Sequence, residues 1–245
     1  MQSTEERAQS TEERARAEEQ IKAAKPETYE KYEDAKKRLF MFASPVHREA
    51  LRESKIPHKV IGDIMLIYMI DLRDDGIEEA APVVIYEMLG KWGVSPKQLH
   101  EDAMASQKAR KPPKLSKLGD AIREMAAELE KPLPEREFNS HTWMATVEGR
   151  RGGAAVMWFQ DFMERAAEEI GGSFYILPAS VSELILVKDE DSIAFGGLLK
   201  ALLFGNLYTC PPSDFLSNTV YHYDKRLKAI ETGDNYALRM GHLEV

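Results

Sequence analysis

The sequence predicts an α+β fold: a mixed, largely antiparallel sheet packed against several helices, with a charged helical extension in front. Three observations lead there. Helix-period and strand-type apolar segments alternate irregularly, without the strand–helix–strand repeats of a parallel α/β sheet. Apolar residues make up 43% of the 245, enough for a core. Charged residues make up 30% and are densest at the front. The chain accordingly divides into a charged heptad-repeat helical arm over residues 1–25 and a single α+β domain over 26–245.

Gln2 to Ala8 recurs unchanged as Gln9 to Ala15, and a seven-residue repeat keeps one helix face in register. Ser3 with Glu6 suits a capping box. The stripe is only Ala8, Ala15 and Ile21, so a solvated helix is expected in preference to a strong coiled coil. Pro26 opens a second helix reaching about Lys37. Leu39 to Phe42 fits either a strand or a helix end. Ser44-Pro45 marks a break, with Ser44 as cap of a short helix from Val46 to Glu53. Val60 to Leu72, rich in apolar and β-branched residues, is expected as one buried strand, and Asp74-Asp75-Gly76 as the turn that ends it.

Val83 to Ile85 could open as a strand before Met88, Leu89 and Trp92 continue at helical spacing. Gly93 closes that helix, and Ser95-Pro96 caps and starts the next. Lys108 to Lys114 is expected as a basic loop, with Ser116 opening a helix to Leu129. Thr142 to Val147 is a strand and Gly149 to Gly153 a tight connection. Ala154 to Ile170 is an amphipathic helix closed by Gly171. Phe174 to Leu177 and Leu184 to Val187 are two further strands, Ile193 to Leu203 is a very apolar helix, and Val220 to Tyr223 is a final short strand.

Composition narrows the function classes. A formal charge of -8 disfavours non-specific nucleic-acid binding, which depends on phosphate neutralisation. The one cysteine, Cys210, can form neither an internal disulfide nor a paired-thiolate zinc site, which fits a reducing compartment. The first residues carry no apolar signal-peptide core. The longest apolar run, Ile64 to Ile70, is far short of the ~20 residues of a membrane span. A cytoplasmic protein without membrane attachment is expected.

Several clusters could carry chemistry. Gly149-Arg150-Arg151-Gly152-Gly153 lies between a strand and a helix, where backbone N–H groups can cradle an anion. Arg150, Arg151, Gly152 and Gly153 are therefore the anion-site candidates, although the loop lacks the lysine and hydroxyl of a P-loop. No His-x-x-x-His pair suggests a metal. His58 with Asp63, and His222 with Asp224 two residues on, are acid–base candidates. Glu183, between two apolar runs, is a candidate buried carboxylate. Asp71, Asp74 and Asp75 read as a solvated turn rather than a cation site. Lys108, Arg110, Lys111, Lys114 and Lys117 form a basic patch without stacking aromatics. In the apolar helix, Gly196-Gly197 would let another helix approach closely, from this chain or from a second copy.

Five blocks in order resemble an uncharacterised bacterial family, domain of unknown function 5688, over about residues 40–228. They are Ile56-Pro57-His58 with Asp63 to Tyr68; Trp92 to His100 with Ala103; Gly153-Ala154-Ala155; Tyr175 to Leu186; and Leu216 to Asp224. The resemblance implies a fold unit and no reaction type. It implies a Ser-Ile-His-Glu pattern where this chain has Ser180-Val181-Ser182-Glu183, and Leu-Ser-Asp where it has Leu216-Ser217-Asn218. It also implies that the charged repeat replaces the family's front portion.

Three readings follow. The first is a non-catalytic interaction protein, an accessory or inhibitor factor of a bacterial or mobile-element system, without cofactor. It binds another protein, with a homodimer as one form of that binding. The second is a hydrolase or nuclease built from His58, Asp63, Glu183 and His222, should they converge. The third is a nucleotide- or nucleic-acid-binding module using the Arg150-Arg151 loop and the basic patch. The lack of any recognisable nucleophile or catalytic motif favours the first.

Overall fold

A computed structural model describes residues 27–46, 55–73, 81–130, 140–190 and 194–241. The heptad repeat, the helix expected over 46–53, His47, Asp74, Asp75 and His242 lie outside or almost wholly outside the described residues. In chain order the elements are α1 (Glu27–Glu30), α2 (Tyr32–Lys36), β1 (Leu39–Pro45), β2 (His58–Ile61), β3 (Ile64–Ile70), α3 (Tyr86–Trp92) and α4 (Pro96–Arg110). They continue as β4 (Pro113–Lys117), α5 (Leu118–Glu128), β5 (Thr142–Val147), a 3₁₀ helix (Gly153–Trp158) and α6 (Gln160–Ile170). The last are β6 (Phe174–Pro178), β7 (Leu184–Lys188), α7 (Phe195–Tyr208), β8 (Tyr221–Asp224), β9 (Ala229–Thr232) and α8 (Gly233–Arg239). Two antiparallel sheets run in the orders β1-β3-β2 and β4-β5-β7-β6-β8-β9. The fold is α+β.

The chain forms two compact units. The first takes its described residues from 27–41, 55–58 and 67–110. Helices α2 and α4 meet at Asp102, which accepts from Tyr32 Oη at 2.6 Å and Gln98 Nε2 at 3.0 Å and pairs with Lys36 at 3.1 Å. The Trp92 indole donates to the carbonyls of Tyr29 and Glu30. Gly93 ends α3 in the left-handed conformation, and Ser95 Oγ caps α4 by accepting from Gln98 N, as the residue types predict. Asp71 is not a solvated turn residue. It is buried and held by Arg73 at 2.5 Å and Arg110 at 3.1 Å, because a buried carboxylate must be paired.

The second unit takes its described residues from 42–46, 59–66 and 111–241 and contains the six-stranded sheet. Strands β5 to β8 are almost wholly buried, which explains the apolar runs of β6 and β7; β8, Tyr-His-Tyr-Asp, is buried with Tyr221 and His222 paired. Four expectations are corrected. The long strand from Val60 to Leu72 is a hairpin, since Gly62 adopts a left-handed φ of 59° and turns the chain between β2 and β3. The basic loop is instead the end of α4 followed by strand β4, which pairs with β5 from Pro113↔Val147 to Lys117↔Trp143. The helix after Val147 is broken at Phe159 into a 3₁₀ turn and α6. Val220 to Tyr223 is not the final strand, because β9 and α8 follow.

Gly153 fixes the start of the 3₁₀ turn. A Cβ there would overlap the Ser182 carbonyl oxygen and Thr146 Oγ1. Ala154 N donates to Val181 O, and Thr146 Oγ1 donates to Ser182 O at 2.6 Å. The obstruction is backbone, so it cannot swing aside. We expect Gly153→Ala to cost about 3 kcal/mol in urea unfolding, the upper end of overpacking penalties. Gly172→Ala, where a Cβ meets open space, should stay within about 0.5 kcal/mol of the wild type.

Candidate functional site

Strand β8 supplies side chains to both faces of the six-stranded sheet, because neighbouring residues on a strand point to opposite sides. Tyr221 serves one face. Its hydroxyl donates to Asp63 Oδ1 at 2.5 Å, and the same carboxylate accepts from Ser217 Oγ at 2.7 Å and Thr219 Oγ1 at 3.1 Å. Asp63 N donates back to Tyr221 Oη. A Cβ at Gly62 would lie 2.6 Å from the Tyr221 hydroxyl oxygen, so the turn must carry glycine to dock there. Burial first, and then the Asp63 carboxylate, push the Tyr221 phenol above its ordinary range. Asp63 thus spends its acceptor capacity on three hydroxyls of its own unit.

His222 serves the other face. It is 1% exposed. Its Nε2 lies 3.1 Å from Asp189 Oδ2, and Tyr236 Oη donates to the same oxygen at 2.6 Å. The rings of His222 and Tyr236 stack at 3.5 Å, and Tyr175 meets His222 edge-on. Hydrogen bonding from His222 is the largest influence holding the Asp189 carboxyl below the usual range, with the Tyr236 bond adding to it against the cost of burial. Burial, with the Asp189 charge, pushes Tyr175 up to about 12. His222 Nδ1 is buried without a hydrogen-bond partner among the described residues. With the ring in the tautomer that carries its proton on Nε2, that nitrogen is an unpaired acceptor and not a stranded donor.

The sequence-derived candidates each have their own partners. Asp63 and His222 lie on opposite faces of the sheet. Glu183 accepts from Ser180 Oγ at 2.8 Å within its own loop. His58 belongs to the other unit, where its Nδ1 meets Ile56 O at 2.8 Å. Asp224 shares a face with His222, as expected, but caps the turn at Arg226 and Leu227 and pairs with Arg239. The partner of His222 is Asp189, 33 residues away in sequence.

The glycine loop is also occupied by its own chain. The N–H groups of Arg150, Arg151, Gly153, Ala154 and Ala155 donate to carbonyls of Val147, Gly149, Arg150, Val181 and Gly152. Arg150 pairs with Glu128 at 2.7 Å. It lines a cleft of about 870 Å³ with Lys114, Glu124, Glu128, Met144 and Thr146. Lys114 there is bound to both oxygens of Glu124 at 2.6 Å. The cleft carries both signs of charge, and its two cations, Lys114 and Arg150, are paired with Glu124 and Glu128. Among the described residues no group of three or more His, Cys, Asp or Glu could hold a metal, and none of the helices is long and apolar enough to cross a membrane. Burial first, and then the nearby Asp214 and Glu183, push the Cys210 thiol up, away from the thiolate form that acts as a nucleophile.

The remaining feature is α7. Phe195, Leu198, Leu199 and Leu202 turn toward a core of Tyr175, Leu177, Val187, Val220 and Tyr236. The opposite side is also apolar: Leu203 is 43% exposed, Phe204 63%, Leu207 73% and Tyr208 68%. Lys200 is the only charged residue in the fourteen. Sequence reading found the apolarity and the glycine pair but not which side faced outward, since a helix apolar all round carries no periodic signal.

The model of a family of unknown function, DUF5688, matches residues 1–225. The chain belongs to that family. No curated protein and no solved structure matches it. The match begins at residue 1, so the heptad repeat lies inside it and does not replace the family's front portion. The blocks that carry the DUF5688 resemblance meet one another within each unit. Asp63 of the first touches Ser217, Thr219 and Tyr221 of the last. Gly153 and Ala154 of the third touch Val181 and Ser182 of the fourth. Tyr68 of the first touches His100 of the second at 3.0 Å. Of the two positions that depart from the resemblance, Ser182 contributes backbone to the Gly153 contact, and Asn218 Oδ1 accepts from Asn206 on α7. Tyr236 lies beyond the matched residues.

Asp189 gives a pH signature. Its folded pKa is lowered, so its contribution is present above the unfolded value of about 3.9 and is lost as pH falls through the folded value. We expect Asp189→Asn to be less stable than wild type at pH 7 by about 1–3 kcal/mol. The gap should narrow as pH drops below about 4 in urea titrations; a gap independent of pH would contradict the assignment.

Proposed function

We propose that this protein is a non-catalytic binding protein that engages another protein through the exposed face of α7. The observation that carries the reading is the four-residue patch Leu203, Phe204, Leu207 and Tyr208, displayed on a helix whose other side is anchored in the core. Two aromatics of ~150–250 Å² each together with two leucines expose on the order of 500 Å², at the upper end of what a monomer usually leaves uncovered. Phe204 and Tyr208 pack against each other at 4.5 Å, a preformed aromatic anchor of the kind that dominates interface energetics. An accessory or inhibitor role in a bacterial or mobile-element system, in the cytoplasm, is the setting we propose. The unpaired cysteine fits a reducing compartment.

The polar clusters support this reading over a hydrolytic one. The carboxylates of Asp63, Asp189 and Glu183 are each engaged by hydroxyls or a ring of the same unit, and none presents an activated nucleophile.

A photoreactive benzoylphenylalanine placed at Phe204, and separately at exposed Glu169 on α6, tests the proposal in cells of the source organism. Illumination should give a covalent adduct of defined mass from position 204 and none from position 169. No adduct at 204, or equal adducts at both, would overturn it.

A further inference from the structure

We infer that the partner seated on α7 is a second copy of this chain, the two helices crossing antiparallel about a two-fold axis near Leu202; this rests on the reading of α7 as a protein-binding face. Three features of the helix favour a self-match. The first is shape. At one end the exposed face carries Gly196 and Gly197, where an added Cβ would meet nothing within 4 Å. At the other end it carries Leu207 and Tyr208. A two-fold interface must be complementary to itself. Antiparallel pairing level with position 202 sets Gly196 opposite Leu207 of the second copy and Gly197 opposite Tyr208, since a two-fold keeps each residue on its own flank of the face, filling each shallow end with a bulky one. A parallel pair would set bulk against bulk and leave the glycine ends empty.

The second feature is charge. Lys200 lies on the exposed face, and the same register places it opposite Phe204, beside Tyr208. An ammonium over an aromatic face is attracted by the ring quadrupole, whereas a parallel pair would bring the two Lys200 side chains together. The third is area. An exposed face of on the order of 500 Å² per copy gives about 1,000 Å² in total, the lower bound for a specific interface. Association is therefore weak and concentration-dependent. Loose pairing of this kind leaves the face open on isolated chains.

Sedimentation velocity of the full chain between about 1 and about 200 µM, the weak end of interfaces of this size, should show a shift from monomer to dimer. Leu207→Glu should remain monomeric throughout, with its circular dichroism and thermal midpoint unchanged. Phe204→Lys serves the same purpose should the first variant fail to fold. Register is read by cross-linking in a Cys210→Ser background. The double variant Gly197→Cys with Tyr208→Cys should oxidise to a covalent dimer, and Gly197→Cys alone should not. A monomer at every concentration, a dimer that survives both substitutions, or cross-linking by Gly197→Cys alone would each overturn the inference. A photo-adduct at position 204 with a different protein, alongside a monomeric chain, would remove the second copy while leaving the binding face in place.

Discussion

The hydroxyl of Tyr221 binds Asp63 and the ring of His222 binds Asp189, and because these residues are neighbours on β8 their side chains leave opposite faces of the same sheet. This alternation organises the second unit. On one side it holds the β2–β3 turn, with Gly62 allowing the turn to reach the phenol. On the other it seats Tyr175 and Tyr236 over the imidazole, extending the core that receives α7. A slip of one residue in β8 would exchange the two sets and strand both carboxylates. Register is thus set by polar contacts as well as by apolar burial.

The same arrangement accounts for the chemical character of the unit. A histidine bonded to an aspartate beside two tyrosines has the composition of a catalytic group, yet His222 is sealed from solvent and Asp189 is shared with Tyr236. By serving one carboxylate together, His222 and Tyr236 tie α8 to β8. The outer side of α7 is different in kind: Phe204, Leu207 and Tyr208 stand exposed a turn or so from core-facing Leu202. Residues 195–208 contain a single charge, so little on that surface favours water over another apolar face.

Local signals read from the sequence correspond to local structure. Gly93, Ser95, Pro96 and Gly171 mark helix ends where capping chemistry requires them, and β5, β6 and β7 follow their apolar runs closely. What escaped depended on distant partners. Pro113 to Lys117 is polar and basic because it is an edge strand, and lysines on an edge discourage pairing with other chains; without β5 in view it reads as a loop. Asp63 looked like part of a continuous strand because the turn is marked by one glycine among β-branched neighbours. Asp189 had no local signal at all, since its partners are on β8 and α8. The α8 start was legible in principle, because Thr232 caps it through Asn235 N, a pattern of residue types that precedes many helices.

Helix α7 has two apolar sides, one packed on its own core and one exposed, and the proposed binding face requires the exposed side to be free. Stability of two single variants in dilute solution tests this most directly. Leu202→Ala should cost about 2–5 kcal/mol, as a buried leucine does, while Leu207→Ala should stay within about 0.5 kcal/mol of the parent. Equal and large losses at both positions would show that the chain itself covers Leu207, and would contradict a free binding face.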